Sequence, residues 1–183
     1  PIYCRVQRIL RDVPTKFWSS GVEFTNLRQY IHDKYQPICR CIRCREPRGR
    51  AIDFSSVKCN ILEYRASEGT EFFMSFDDEK NDILLAFCRL RFPSQSLRPE
   101  ITSDSAIIRE LHVNGMAVPL GGLGEGAGDV QHKGFGKKLL AKAEEISRAH
   151  AKNKIVVISG IGVREYYAKL GYSREGPYMV KSI

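Results

Sequence analysis

Beyond residue 52 the chain is built from short runs of β-branched and aromatic residues separated by polar joints. The runs VKCNILEYRA (57–66), TEFFMSFDD (70–78), DILLAFCRLRF (82–92) and AIIRELHVNG (106–115) predict four successive strands. The turn-rich joint DDEKND makes the second and third antiparallel neighbours, and CRLRF alternates apolar with basic residues as a strand with one wet face does. The period then changes. Phe135, Leu139, Ala143 and Ile146 recur at spacings of four, four and three, laying one apolar stripe along a helix that runs to about His150. A buried strand (155–158), a short helix carrying Tyr166 and Tyr167 and closed by Gly171, and a last strand in GPYMVKSI complete the pattern. Before residue 52 only GVEFTNLRQYIHDKY (21–35) reads as a helix, ended by Pro37. The expectation is therefore a segment 1–51 followed by an α/β (α+β) domain, 52–183, with a mixed central sheet flanked by helices.

Composition narrows the class. With 183 residues, 43% hydrophobic and 27% charged, the chain is globular in composition. It contains no apolar run of about twenty residues and no signal-peptide layout, so a cytoplasmic protein with no membrane partner is expected. It opens PIYCRVQRIL without an initiator Met, which points to a piece of a longer protein. The net charge of +8 is uneven, and arginine dominates the first fifty residues. Because the guanidinium fork grips phosphate with two bonds, Arg40, Arg43, Arg45, Arg48 and Arg50 are candidate polyanion contacts; a solvated basic surface is the plainer alternative.

Three of the six cysteines crowd into CRCIRCRE. Cys39, Cys41 and Cys44 can give three thiolates to a tetrahedral zinc, with Cys4 as the candidate fourth ligand. Three reduced surface thiols are the competing reading. Cys59 and Cys88 fall inside apolar runs and are expected in the core.

Five glycines between 121 and 128 read as a surface loop, without the layout of a P-loop. The glycines of QHKGFGKKLL are different, because they stand where the amphipathic helix begins. A helix N-terminus carries unpaired N–H groups and a positive dipole end, so bare backbone there can receive a phosphate. Lys133, Lys137 and Lys138 would add charge.

The run Gln131 to Gly136 resembles the Q/R-x-x-G-x-G/A motif of the GNAT acetyltransferase superfamily. The pieces YCRVQRILRDVP, IRCREPR, IRELHVNG, QHKGFGKKLL and YYAKLGYSREGPYMVK further resemble the acetyltransferase region of the Elongator catalytic-subunit family, over almost the whole chain. The resemblance implies a GNAT fold behind a zinc-knuckle-like segment. It also implies acetyl-CoA as the acyl donor, tRNA wobble uridine as the substrate, and tRNA-stimulated cleavage of acetyl-CoA. A radical-SAM half holding an iron–sulfur cluster and SAM would lie outside these residues.

Carried over by the same resemblance, Glu110, Leu111, His112 and Val113 would pair with the pantetheine. Gln131, Lys133, Gly134, Phe135, Gly136, Lys137 and Lys138 would hold the pyrophosphate. Tyr166 and Tyr167 would flank the thioester, and because adjacent helical positions point about 100° apart, one of them, expected to be Tyr167, would reach the sulfur. Glu110 and His112 share one face of their strand and are candidate general bases for water, with a packed, hydrogen-bonded imidazole as the competing reading of His112. A non-catalytic zinc-bearing tRNA-docking module and a protein lysine acetyltransferase are the alternatives.

Overall fold

The computed structural model describes residues 1–7, 9, 15–17, 19–21, 26–115 and 134–183. It divides into two compact units, Pro1–Glu46 and Pro47–Ile183.

In the first unit, α1 (Leu27–Tyr35) ends where Gln36 turns left-handed at φ 42°, its N–H still bonded to the His32 carbonyl at 3.1 Å, just before Pro37. A proline there disfavours helical geometry in the residue before it and offers no N–H to continue the ladder. The short helix α2 (Ile42–Arg45) follows.

Among the described residues, the second unit holds one seven-stranded sheet in the order β1-β2-β3-β4-β5-β7-β6. Its strands are β1 (Val57–Ala66), β2 (Gly69–Asp78), β3 (Ile83–Phe92), β4 (Ser105–Val113), β5 (Lys154–Val157), β6 (Ser173–Glu175) and β7 (Tyr178–Ser182). All neighbours are antiparallel except β4 and β5. A parallel pair needs a long crossover, and α3 (Phe135–Ala149) lies in that connection. The mixed sheet with helices is the expected fold class.

The core sits between α3 and one face of the sheet. Leu139, Leu140 and Ala143 of α3 pack with Met74, Cys88, Leu90, Ile108 and Val157. Leu139 is completely buried, so its truncation to alanine costs about 2–5 kcal/mol. On the opposite face Ile101, Ile107, Val156 and Val180 form a smaller cluster, against which Tyr178 packs partly buried. Cys88 is buried as expected, whereas Cys59 is exposed. Cys59 lies on β1, which ends the sheet, and an edge strand lacks the neighbour that would cover it. The last turn of the chain's short helix α4 (Arg164–Ala168) leads to Gly171, at φ +85°.

Candidate active site

The site begins as a fork between β4 and β5. The two strands pair from Ser105 with Lys154 to Ile108 with Val157, and the last bond runs from the Ile158 N–H to the Ile108 carbonyl at 3.1 Å. Beyond Ile108, β4 continues to Val113 while pairing only with β3 among the described residues. The β3–β4 register slips between Arg89 and Leu90, leaving Arg109 as the extra residue of a bulge. From the bulge onward, the far edge of β4 has no described strand along it. Such an edge can pair with an extended amide-bearing chain, as an added strand would.

Helix α3 starts at the open end of this fork. Its two entrance glycines have separate physical reasons. Gly134, the N-cap, has φ +71°, a left-handed conformation that costs an L-residue about 1–2 kcal/mol. Gly136 is buried, and a Cβ there would sit 3.0 Å from the Tyr166 hydroxyl and 3.5 Å from Cγ2 of Val113. The end of β4, the first turn of α3 and the Tyr166 hydroxyl therefore meet at one point. Phe135 anchors the turn with its ring 4.8 Å from that of Phe76, and Lys137 and Lys138 are exposed beside it. Gln131, Lys133 and the glycine-rich stretch 121–128 lie outside the described residues.

The two tyrosines divide as adjacent helical positions must. Tyr167 is 6% exposed, in the core beside Tyr172. Tyr166 is half-buried with its hydroxyl against Gly136. Burial holds the Tyr166 hydroxyl above its ordinary pKa, and burial, then Cys88 and Tyr166, push Tyr167 up to about 12. Both are neutral donors near pH 7. Tyr167, expected at the sulfur, is thus committed to the core, and the hydroxyl at the fork is that of Tyr166.

Glu110 and His112 share the sheet face opposite α3, while Leu111 and Val113 pack against the main core. Glu110 accepts a 2.8 Å bond from Nε of Arg89, and the His112 ring lies 5.6 Å from that of Phe87. The two expected bases are therefore on one face, and the Tyr166 hydroxyl is on the other.

In the first unit, the Sγ atoms of Cys39, Cys41 and Cys44 lie within 4.8 Å of one another. Burial raises the Cys41 thiol, but N–H groups of Val6 and Cys44 and the thiols of Cys39 and Cys44 outweigh it, and the net is a fall to about 6. Cys44 is pushed up, first by burial and then by its neighbouring thiols. Three sulfurs held this close together are a donor set that a divalent soft cation would complete. Cys4 is outside the group; its carbonyl accepts from the Ile42 N–H at 2.9 Å. Two groups that the cysteine spacing did not reveal approach Cys44: Nε2 of His32 at 3.9 Å and the Arg28 guanidinium at 2.9 Å. Their spacing of four on α1 is the signal that could have paired them with one helix face.

The arginines also separate. Arg45, expected to contact RNA, is instead 3% exposed, bonded to the carbonyls of Ile2 at 3.1 Å and Arg40 at 3.2 Å. It holds the segment together and drops out of the RNA-facing set. Arg43 is partly buried and donates to the Gln7 carbonyl at 2.7 Å, while Arg40, Arg48 and Arg50 are exposed. No helix among the described residues is long and apolar enough to cross a membrane.

Comparison with known proteins shows the family. The model of the acetyltransferase (GNAT) family matches residues 29–172. The chain is 46% identical over 196 residues to a tRNA uridine(34) acetyltransferase of Methanocaldococcus jannaschii, covering 99% of this chain and 35% of that protein. It is 42% identical over 192 residues to the Elongator complex protein 3 of Danio rerio, covering 100% of this chain and 35% of that one. Among solved structures, that of an archaeal Methanocaldococcus infernus Elp3 lacking its N-terminal residues matches with a TM-score of 0.84 at 42% identity, over 100% of this chain and 45% of the other. The chain spans about a third of the length of the curated relatives it matches.

Proposed function

This chain belongs to the GNAT acetyltransferase family, and from that premise we propose that it is the acetyl-CoA-binding unit of a tRNA wobble-uridine acetyltransferase. The observation that carries this is the meeting of the β4 edge that no described strand lines, the glycine-cleared start of α3 and the Tyr166 hydroxyl. The residues fit the ligand. Backbone from Glu110 to Val113 would pair with the pantetheine amides, and the first turn of α3, Gly134 to Lys138, would receive the pyrophosphate with Lys137, Lys138, Gln131 and Lys133 adding contacts. Tyr166 takes the role first expected of Tyr167 and gives its proton to the departing CoA thiolate. Glu110 or His112, across the sheet, would accept a proton from the water that attacks the thioester carbonyl, so that cleavage yields acetate and CoA. tRNA would stimulate this cleavage, and the iron–sulfur and SAM chemistry would belong to a radical-SAM partner domain beyond these residues. Calorimetric titration with acetyl-CoA tests the assignment: saturable binding is expected, and no heat of binding would overturn it.

The segment 1–51 would carry zinc and RNA contacts, and 52–183 the acetyl chemistry. Zinc on Cys39, Cys41 and Cys44 would fasten the segment; His32, with Nε2 3.9 Å from Sγ of Cys44, joins Cys4 as a candidate for the fourth position. A Cys41→Ser variant is expected to lose the bound zinc that the parent retains after dialysis. Metal content equal to the parent would remove the site.

The exposed Arg40, Arg48 and Arg50 are the tRNA candidates. Replacing Arg48 and Arg50 with alanine is expected to flatten the dependence of tRNA affinity on salt by about one unit of slope per residue. An unchanged slope in a titration series would move the RNA surface elsewhere.

A further inference from the structure

A buried ion pair lies under the bulge that opens the fork. Glu71 sits mid-strand in β2 with its side chain only 2% exposed. Its Oε1 accepts from Nη1 of Arg109 at 2.7 Å and from Nη1 of Arg91 at 2.9 Å, whereas its buried Oε2 has no partner among the described residues. Arg91 also holds the Ala66 and Ser67 carbonyls, each at 2.9 Å, where the β1–β2 hairpin turns. One chain of contacts thus runs from the hairpin through Arg91 and Glu71 to Arg109. Arg109 is both the bulged residue of β4 and the first residue beyond the last β4–β5 pairing.

A buried carboxylate with an unsatisfied oxygen is costly, and a well-packed apolar residue would stabilise the sheet at least as well. The charge therefore makes sense as a device that selects one local geometry. Without a tether, the Arg109 backbone could slide into regular register with β3, removing the bulge and swinging the β4 edge back toward β5. We infer that Glu71 is a positioning residue for acyl-CoA: through Arg109 it fixes the bulge and hence the width of the β4–β5 fork. The inference rests on the assignment of the fork to pantetheine.

The test separates the two halves of the ligand. Acetyl-CoA spans both the fork and the α3 entrance, whereas 3′-phosphoadenosine 5′-diphosphate reaches only the latter. Arg109→Ala leaves Glu71 paired with Arg91 and so retains a partner for the buried charge. Arg109→Ala and Glu71→Gln are each expected to weaken acetyl-CoA binding roughly tenfold or more, the equivalent of one lost hydrogen bond. Affinity for the nucleotide fragment should stay within about twofold of the parent, and Arg109→Lys should recover part of the loss. Parent-like acetyl-CoA affinity in both variants would overturn the inference, as would equal loss of both ligands. An effect confined to the Arg109 variants would also overturn it, since Arg109 would then touch the ligand itself. A parent that binds neither ligand would overturn the functional assignment, and the inference with it.

Discussion

Gly136→Asp is expected to abolish measurable acetyl-CoA binding while leaving the sheet and α3 folded. The position is the second residue of α3, buried, with the Tyr166 hydroxyl 3.0 Å from where a Cβ would stand. An aspartate in a first helical turn is intrinsically favourable, by about 0.3–1 kcal/mol, because its carboxylate bonds the exposed N–H groups and meets the positive dipole end. That is why the variant should fold. The same carboxylate then occupies the donors a pyrophosphate would need and repels it. Two lost charge-assisted bonds at about 1.5–3 kcal/mol each amount to a fall of roughly a hundredfold or more. Calorimetry beside the parent, with a thermal melt as the check on folding, reads the result. Affinity within a few-fold of the parent would show that the pyrophosphate binds elsewhere. Gly134→Ala makes the contrast: beyond its chain neighbours no described residue lies within 4 Å of its would-be Cβ, so the cost there is backbone strain and falls on stability.

On the proposed assignment of Tyr166 as the acid, Tyr166→Phe is expected to slow the proposed tRNA-stimulated release of CoA by about a hundredfold, the lower end of what a positioned acid contributes, with little change in acetyl-CoA affinity. The hydroxyl stands at the fork, and its burial keeps it above the ordinary value of 10.0. It is therefore protonated, and able to donate, across the neutral range, and the parent's dependence on it should fade only as pH rises past 10.0. Tyr167→Phe should leave the rate within a few-fold of the parent, since that ring is core. A reversed order in a CoA-release assay, with Tyr167→Phe the damaging change, would return the role to Tyr167.

Period and composition make α3 and the long strands readable, because Phe135, Leu139 and Ala143 must share a face to be buried at all. What depends on neighbours is not readable in the same way. Cys59 has the surroundings of a core residue in sequence, yet β1 is the sheet's edge, and nothing local says which strand will be last. Arg45 looks like its neighbouring arginines until backbone carbonyls claim it. The tyrosine pair requires that one ring turn inward and one outward, but which is which depends on how α4 meets Val113 and Gly136. The bulge at Arg109 follows from a register between β3 and β4, and Glu71 is only an acid in an apolar run until the sheet stacks it against two arginines. The glycines at 134 and 136 are visible as a pattern at a helix start, but their separate reasons, a left-handed N-cap and the close approach of Tyr166 and Val113, come only with the packing.

Strand β4 carries Leu111 and Val113 toward α3 and Glu110 and His112 toward the opposite side. On the proposed assignment it is a partition one strand thick, with the hydroxyl proposed as the acid on one side and the two proposed bases on the other. Donor and acceptor would then come in through separate doors. Neither has to vacate its place before the other arrives, and no enzyme nucleophile is needed to hold the acetyl group between two visits to the same room.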